Sequence, residues 1–276
     1  MLDQINRDDG TALLRGAGLG VEEAFQWLEE TQTRVFGNSE LSTEAHDCGR
    51  LCKTARDWLE GLPLKSERDL KQEQAGSLLV RETAGLCWRF TRAWRKELFV
   101  ESERIAGSFP RLETLAESAS KLCPGVYPSE QELQAEQKKL LRDKDGLELH
   151  QGMLFAQWFS DPEHGQRMIR SMRRPTVRAL ELQEEILKTG KADLEYARVE
   201  IENGTGTVFF SNPEYLNAED DTTLEPSETA VDIVLLHPEV KVGVLRGDPV
   251  SHPKYSGRRL FSSGINLTRL YQGTQS

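Results

Sequence analysis

The sequence predicts an α-helical N-terminal region over residues 1–190, followed over 191–276 by the first part of an α/β domain. Three observations carry this. Apolar residues recur at helical spacing as far as Gly190. Beyond Gly190 the spacing changes to alternation, and an Asn-Gly pair separates two short β-type runs. A helical run, a second alternating run and a glycine turn then follow, the order in which an α/β domain opens.

In the first region Val21, Ala24, Phe25 and Leu28 share one face of a helix. Leu78 to Val100 reads as one longer helix. Ser129 with Glu132 has the spacing of a capping box before a charged helix over 131–142. Asp161-Pro162 reads as N-cap and first helical residue, since proline lacks only an amide that would be unpaired there. A further helix opens at Pro175 and closes at Gly190, and Pro124-Gly125 and Asp145-Gly146 are breaks. In the second region a strand is predicted over 194–202, a turn at Asn203-Gly204, and a return strand over 207–210. A helix over 227–236 ends before Pro238, a strand covers 240–246, and a short helix follows Leu267.

Bulk composition narrows the function classes. The net charge of -10 argues against general nucleic-acid binding, which relies on Lys and Arg, but leaves room for a small phosphorylated ligand. No apolar run is long enough to span a membrane, and the polar, acidic start at Met1–Gly10 is unlike a secretory signal. The expected compartment is the cytoplasm. Cys48 and Cys52 stand one helical turn apart, while Cys87 and Cys123 stand alone in sequence. No histidine pair completes a metal set, so the reading is reduced thiols in or near a core, with no metal site.

The stretch that points to chemistry is Phe261-Ser262-Ser263-Gly264-Ile265-Asn266-Leu267. A small-small-Gly turn between a strand and a helix leaves backbone N–H groups free to face developing negative charge, the physics of an oxyanion hole. Before it, Ser251-His252-Pro253-Lys254-Tyr255-Ser256-Gly257-Arg258-Arg259 is a basic patch on an acidic chain. Lys254, Arg258 and Arg259 suit phosphates and Tyr255 suits a purine face; a solvated loop is the plain alternative. Asn203-Gly-Thr-Gly206 is no dinucleotide fingerprint, because it lacks the third glycine and sits in a hairpin.

Leu216-Asn217-Ala218-Glu219-Asp220, about 45 residues before Phe261–Leu267, resembles the paired signature of the crotonase superfamily. Within it the chain is similar to the branch of cofactor-independent dihydroxyphenylacetyl-CoA dioxygenases of glycopeptide-antibiotic pathways. Glu228-Thr-Ala-Val-Asp232, Ser251–Tyr255 and Arg174–Leu182 add to the likeness, which covers residues 145–276 well and the earlier helices in general character.

The resemblance implies a ββα spiral fold with an oxyanion hole whose first donor is the Ile265 N–H. It implies that Glu219 faces the substrate and hydrogen-bonds a ring hydroxyl. His252, Pro253, Lys254 and Tyr255, with Ser263, Gly264, Asn266, Leu267 and Thr268, would line the CoA and substrate channel. Leu267 would also help to form an apolar pocket for dioxygen. The implied reaction takes an arylacetyl-CoA thioester and dioxygen to an arylglyoxylate and free CoA, with no metal or flavin. The implied partners are the acyl-CoA and further copies of the chain, since crotonase relatives usually form trimers or hexamers; neither nucleic acid nor membrane is expected.

One departure bears on activity. The resemblance calls for a second oxyanion amide and further strands, yet Ser276 ends the chain nine residues after Leu267. The expectation is a chain lacking the C-terminal part, inactive alone or completed by another chain. Two other readings stand beside the dioxygenase: another crotonase reaction, such as hydration or isomerisation, and a non-catalytic helical interaction protein with a remnant acyl-CoA site.

Overall fold

Helix formation over the first 173 residues follows apolar spacing and capping chemistry, and the computed structural model, which describes residues 6–258 and 260–273, shows both. The elements are α1 (Arg7–Gly16), α2 (Val21–Thr33), α3 (Leu41–Glu60), α4 (Leu70–Ala93), α5 (Arg95–Ala106), α6 (Leu112–Leu122), α7 (Glu130–Gln137), α8 (Leu149–Phe159) and α9 (Pro162–Met172). The Ser129–Glu132 capping box forms, although α7 ends at Gln137 and not at 142. Asp161 caps α9 through the amides of Glu163 and His164, with Pro162 first in the helix. On α2 the buried stripe is Ala24, Trp27, Leu28 and Thr31. Val21 and Phe25, expected on that face, are 50% and 37% exposed. The Trp27 indole decides the rotation, because its N–H reaches the Leu51 carbonyl at 3.0 Å inside the core.

The expected single helix over 78–100 is two. An Asp69–Gln72 capping box starts α4 eight residues early. Trp94, at φ -104° and ψ 15°, departs from helical dihedrals and separates α4 from α5. Its indole donates to the buried Glu44 carboxylate at 2.6 Å. Glu44 also accepts the amides of Gly37, Asn38 and Ser39. Burial would raise its pKa, but these donors together hold it below the usual range.

The unit's core includes Trp27, Leu79, Phe90, Phe99, Tyr127 and Trp158. All four cysteines, which spacing leaves unconnected, lie in this one core as free thiols. Among the described residues no group of three or more His, Cys, Asp or Glu is placed to hold a metal ion. No helix among them is long and apolar enough to cross a membrane. The predicted break at Pro124-Gly125 is also a close contact: a Cβ on Gly49 of α3 would stand 2.2 Å from the Pro124 carbonyl oxygen. Only glycine permits that approach.

The second unit runs from Arg174 to Ser276, so the last helix before residue 190 packs with the sheet. That helix, α10 (Val177–Thr189), is capped by Thr176, not Pro175, and is closed by Gly190 as expected. Then come β1 (Lys191–Asp193), β2 (Ala197–Glu202), β3 (Thr205–Phe210), α11 (Asp221–Leu236), β4 (Val242–Gly247) and α12 (Leu267–Gln272). The sheet is small and mixed, in order β1-β2-β3-β4. Asn203 and Gly204, both at positive φ, join β2 to β3 in a two-residue hairpin with Glu202 opposite Thr205. β4 lies parallel to β3, and α11 makes the crossover.

Val199 and Val208 are cross-strand partners and pack with Ala179, Ile186, Ala230 and Ile233 of the helices. The neighbouring pair, Arg198 and Phe209, points to the other face, as the period of two requires. There the Arg198 guanidinium lies 3.5 Å from the Phe209 ring centroid and is held by Asp248 at 2.8 Å. α11 begins at Asp221, six residues earlier than expected, and tolerates Pro226 within its second turn.

Candidate functional site

The site grows from a strained turn. Leu216 and Asn217 both have left-handed backbone, at φ 57° and 54°. Asparagine tolerates this conformation, whereas leucine adopts it rarely and only where its surroundings impose it. Reciprocal bonds impose it here. The Asn217 amide donates to the Asn212 carbonyl at 2.8 Å, and the Asn212 amide donates to Asn217 Oδ1 at 2.9 Å. Asn217 Nδ2 then donates to the carbonyls of Asp248 and Leu260, both at 2.8 Å. One buried side chain thus ties the turn to the end of β4 and to the start of the 260–267 segment. Gly247 lets the backbones meet, for a Cβ there would stand 1.7 Å from the Leu260 carbonyl oxygen.

Two predicted segments come together beyond this tie. Glu219 and Ile265 form a parallel β-bridge. The Glu219 amide donates to the Gly264 carbonyl, and the Asn266 amide donates to the Glu219 carbonyl, both at 2.8 Å. In a parallel pair such bonds bracket the intervening residue, whose own N–H and C=O therefore point to the opposite edge. The Ile265 N–H is turned away from its bridge partner, and among the described residues no carbonyl accepts from it. Gly264, at φ 87°, supplies the turn, and its amide is held by Ser262 Oγ at 3.0 Å.

Asp220 locks this bridge. It is 1% exposed, caps α11 through Thr222, and accepts from Asn212 Nδ2 at 3.1 Å and Asn266 Nδ2 at 2.9 Å. Arg269 Nε stands 3.3 Å away. Burial would raise the Asp220 pKa, but the bonds from Thr222 and Asn266 and the Arg269 charge hold it below the ordinary value. Asn266 in turn caps α12 by accepting from the Arg269 amide. Asn212, Asp220 and Asn266 are buried polar groups with partners, and they hold the segments in register. Sequence reasoning gave none of them a positioning role; the Asn212-Pro213 turn signal was the one available pointer.

A cavity of about 220 Å³ opens beside the bridge. Phe210, Leu224, Leu245 and Phe261 give it apolar walls, and Glu219 and Ser262 stand among them. Phe210 and Phe261 meet edge to face at 5.5 Å. The exposed Glu219 carboxylate accepts from Ser262 Oγ at 3.4 Å. Ser263, Gly264, Ile265 and Asn266 lie on the adjoining segment, outside the cavity lining; Leu267 and Thr268 begin α12 with exposed side chains.

His252, Pro253, Lys254 and Tyr255 form their own turn, closed by the Tyr255 amide on the His252 carbonyl at 2.8 Å. Lys254 Nζ sits 5.2 Å from the Tyr255 ring centroid, and the His252 ring lies on the same tyrosine at 5.5 Å. No hydrogen bond among the described residues joins this turn to Ser263–Thr268. Both flank one element instead, since the Ser251 amide reaches the Pro213 carbonyl and Ser263 Oγ the Tyr215 carbonyl, each at 3.3 Å. Arg258 is exposed, and Arg259 lies outside the described residues.

The arrangement offers an unspent amide, a carboxylate and a small apolar cavity within one folded unit. The chain is similar to a curated enzyme of Amycolatopsis orientalis, (3,5-dihydroxyphenyl)acetyl-CoA 1,2-dioxygenase, at 37% identity over 215 residues. The match takes in 78% of this chain and 50% of that enzyme, so the chain spans about half the length of the curated relative. No protein-family model matches the chain.

Proposed function

We propose that the second unit is the thioester-holding part of a crotonase-like acyl-CoA dioxygenase, which converts (3,5-dihydroxyphenyl)acetyl-CoA and dioxygen to 3,5-dihydroxyphenylglyoxylate and CoA. The observation that carries this reading is the orientation of the Ile265 N–H, away from Glu219 and bonded to no carbonyl among the described residues. The similarity to an acyl-CoA dioxygenase supports the same reaction class.

In this reading the thioester oxygen lies against the Ile265 amide. Loss of an α-proton gives an enolate whose charge gathers on that oxygen, where a fixed amide dipole stabilises it without reorganising. The enolate, conjugated with the hydroxylated ring, reduces dioxygen, and the carbon–oxygen bond forms at the α-carbon. The peroxide then attacks the thioester carbonyl and breaks the C–S bond, and loss of the remaining α-proton breaks the O–O bond to leave ketone and carboxylate, CoA departing as its thiol with the first α-proton. Both dioxygen atoms end in the arylglyoxylate. Glu219 accepts a hydrogen bond from a ring hydroxyl, the ring being taken by the cavity of Phe210, Leu245 and Phe261. The scheme calls for no metal or flavin. His252–Tyr255 and Ser263–Thr268 hold the CoA part, with Lys254 meeting phosphate.

Binding tests the amide directly. A CoA analogue keeping the carbonyl, with CH₂ in place of sulfur, should shift the Ile265 amide resonance in ¹⁵N-labelled protein. Replacing the Ile265 amide by an ester should weaken that binding several-fold, the worth of one hydrogen bond of about 1 kcal/mol. Analogue bound with the Ile265 resonance unmoved would end the reading. Oxygen uptake matched one-to-one by CoA release separates a dioxygenase from a hydratase, which consumes no oxygen.

A further inference from the structure

The helical unit contains a hollow of its own, with a volume of about 250 Å³. Ala55, Leu59, Leu62, Val80 and Leu147 give it apolar wall, and His150 and Arg56 also line it. His150, on α8, is 7% exposed, and its Nδ1 lies 2.7 Å from the Val126 carbonyl oxygen. A carbonyl can only accept, so Nδ1 carries the hydrogen. Burial disfavours the charged ring and holds its pKa at about 4, leaving Nε2 with a free lone pair at neutral pH. Among the described residues nothing donates to Nε2.

Arg56 donates from Nη2 to the Gly125 carbonyl at 2.6 Å, and its Nε stands 3.3 Å from Glu132. Its Nη1 is buried and has no hydrogen-bond partner. The Arg56 charge also acts on the His150 ring and disfavours a proton there. Several other charged groups of the lining are already engaged: Arg68 with Asp145, Lys139 with Glu136, Asp143 with the Ser66 amide, and Lys65 with the Lys144 carbonyl.

We propose that this hollow is a binding site for a small phenol. Its hydroxyl donates to His150 Nε2, and its ring lies against the apolar wall. A carboxylate sets its lone pairs against the imidazole's, and an ammonium is disfavoured by the guanidinium's charge. A phenolic hydroxyl donates more strongly than an aliphatic one, being acidic near pH 10. The space suffices, for an apolar cavity of about 150 Å³ already takes up benzene. The inference stands independently of the thioester reading of the second unit.

Phenol, cyclohexanol and toluene titrated into the full chain, ¹⁵N-labelled at histidine, test it. Phenol is expected to saturate at millimolar concentration or below and to move the His150 Nε2 resonance. Toluene should bind about tenfold more weakly, the worth of the lost hydrogen bond. In His150→Phe, phenol affinity should fall to that of toluene, whose retained binding reports an intact hollow. Toluene or cyclohexanol binding as tightly as phenol would overturn the proposal. So would phenol binding with an unmoved resonance, or no saturable binding, the hollow then holding structural water only. If the variant does not fold, the comparison of phenol with toluene in the native chain decides.

Discussion

Asp220 shows how one buried side chain connects the predicted motifs. It is the meeting point of Asn212, Thr222, Asn266 and Arg269, with all four acting on a single carboxylate. Replacing it by Asn keeps the shape and the cap but turns one acceptor into a donor facing other donors. Asp220→Asn should destabilise the second unit by about 2 kcal/mol in urea unfolding and speed exchange of the Asn266 amide. Unchanged unfolding would mean that Asp220 does not hold the bridge. At this scale the sequence was readable for the backbone atoms and poorly readable for what positions them. The Ser-Ser-Gly-Ile turn pointed to free amides because glycine and small residues signal local geometry, yet those of Gly264 and Asn266 are spent on Ser262 and Glu219. The cross-links from Asn212 and Asn217 to partners up to 43 residues away leave no local trace, so periodicity could not reveal them.

Among elements, local chemistry was the most legible. The Ser129 box, the Asp161-Pro162 start, the Gly190 stop and the Asn203-Gly204 hairpin all form as the residues imply. Two misplacements share one cause: a tertiary contact outweighed the local pattern. Trp94 departs from helical dihedrals where its indole reaches Glu44, and α2 rotates to bring Trp27 inward. The Asp69 box escaped notice because Leu70, directly after it, is 74% exposed and does not mark the start of an apolar stripe. Asp69→Ala should cost about 1 kcal/mol and fray the first turn of α4, seen as faster hydrogen exchange at Gln72 and Glu73. Exchange unchanged there would show the box to be redundant.

The whole molecule carries two titrating anchors that let go at different pH. His150 is held neutral by burial, its pKa lowered from 6.5 to about 4. The unfolded chain binds a proton there first, so this contribution is complete above pH 6.5 and fades as pH falls towards 4, on the order of 3 kcal/mol in all. Asp220 is depressed below 3.8, so its contribution persists until more acidic pH and is lost as pH falls through its folded value. Hydrogen exchange followed from pH 7 downwards should show the helical unit loosening first. Simultaneous loosening, or the second unit leading, would contradict the assignment. β4 has a further consequence. Among the described residues it is hydrogen-bonded on its β3 side alone, and Val242 and Leu245 are 56% and 51% exposed. Such a margin is adhesive, because any extended chain laid along it gains a ladder of main-chain bonds together with apolar cover. Concentrated solutions should therefore scatter light increasingly with time, and Leu245→Lys should slow that growth by setting like charges face to face.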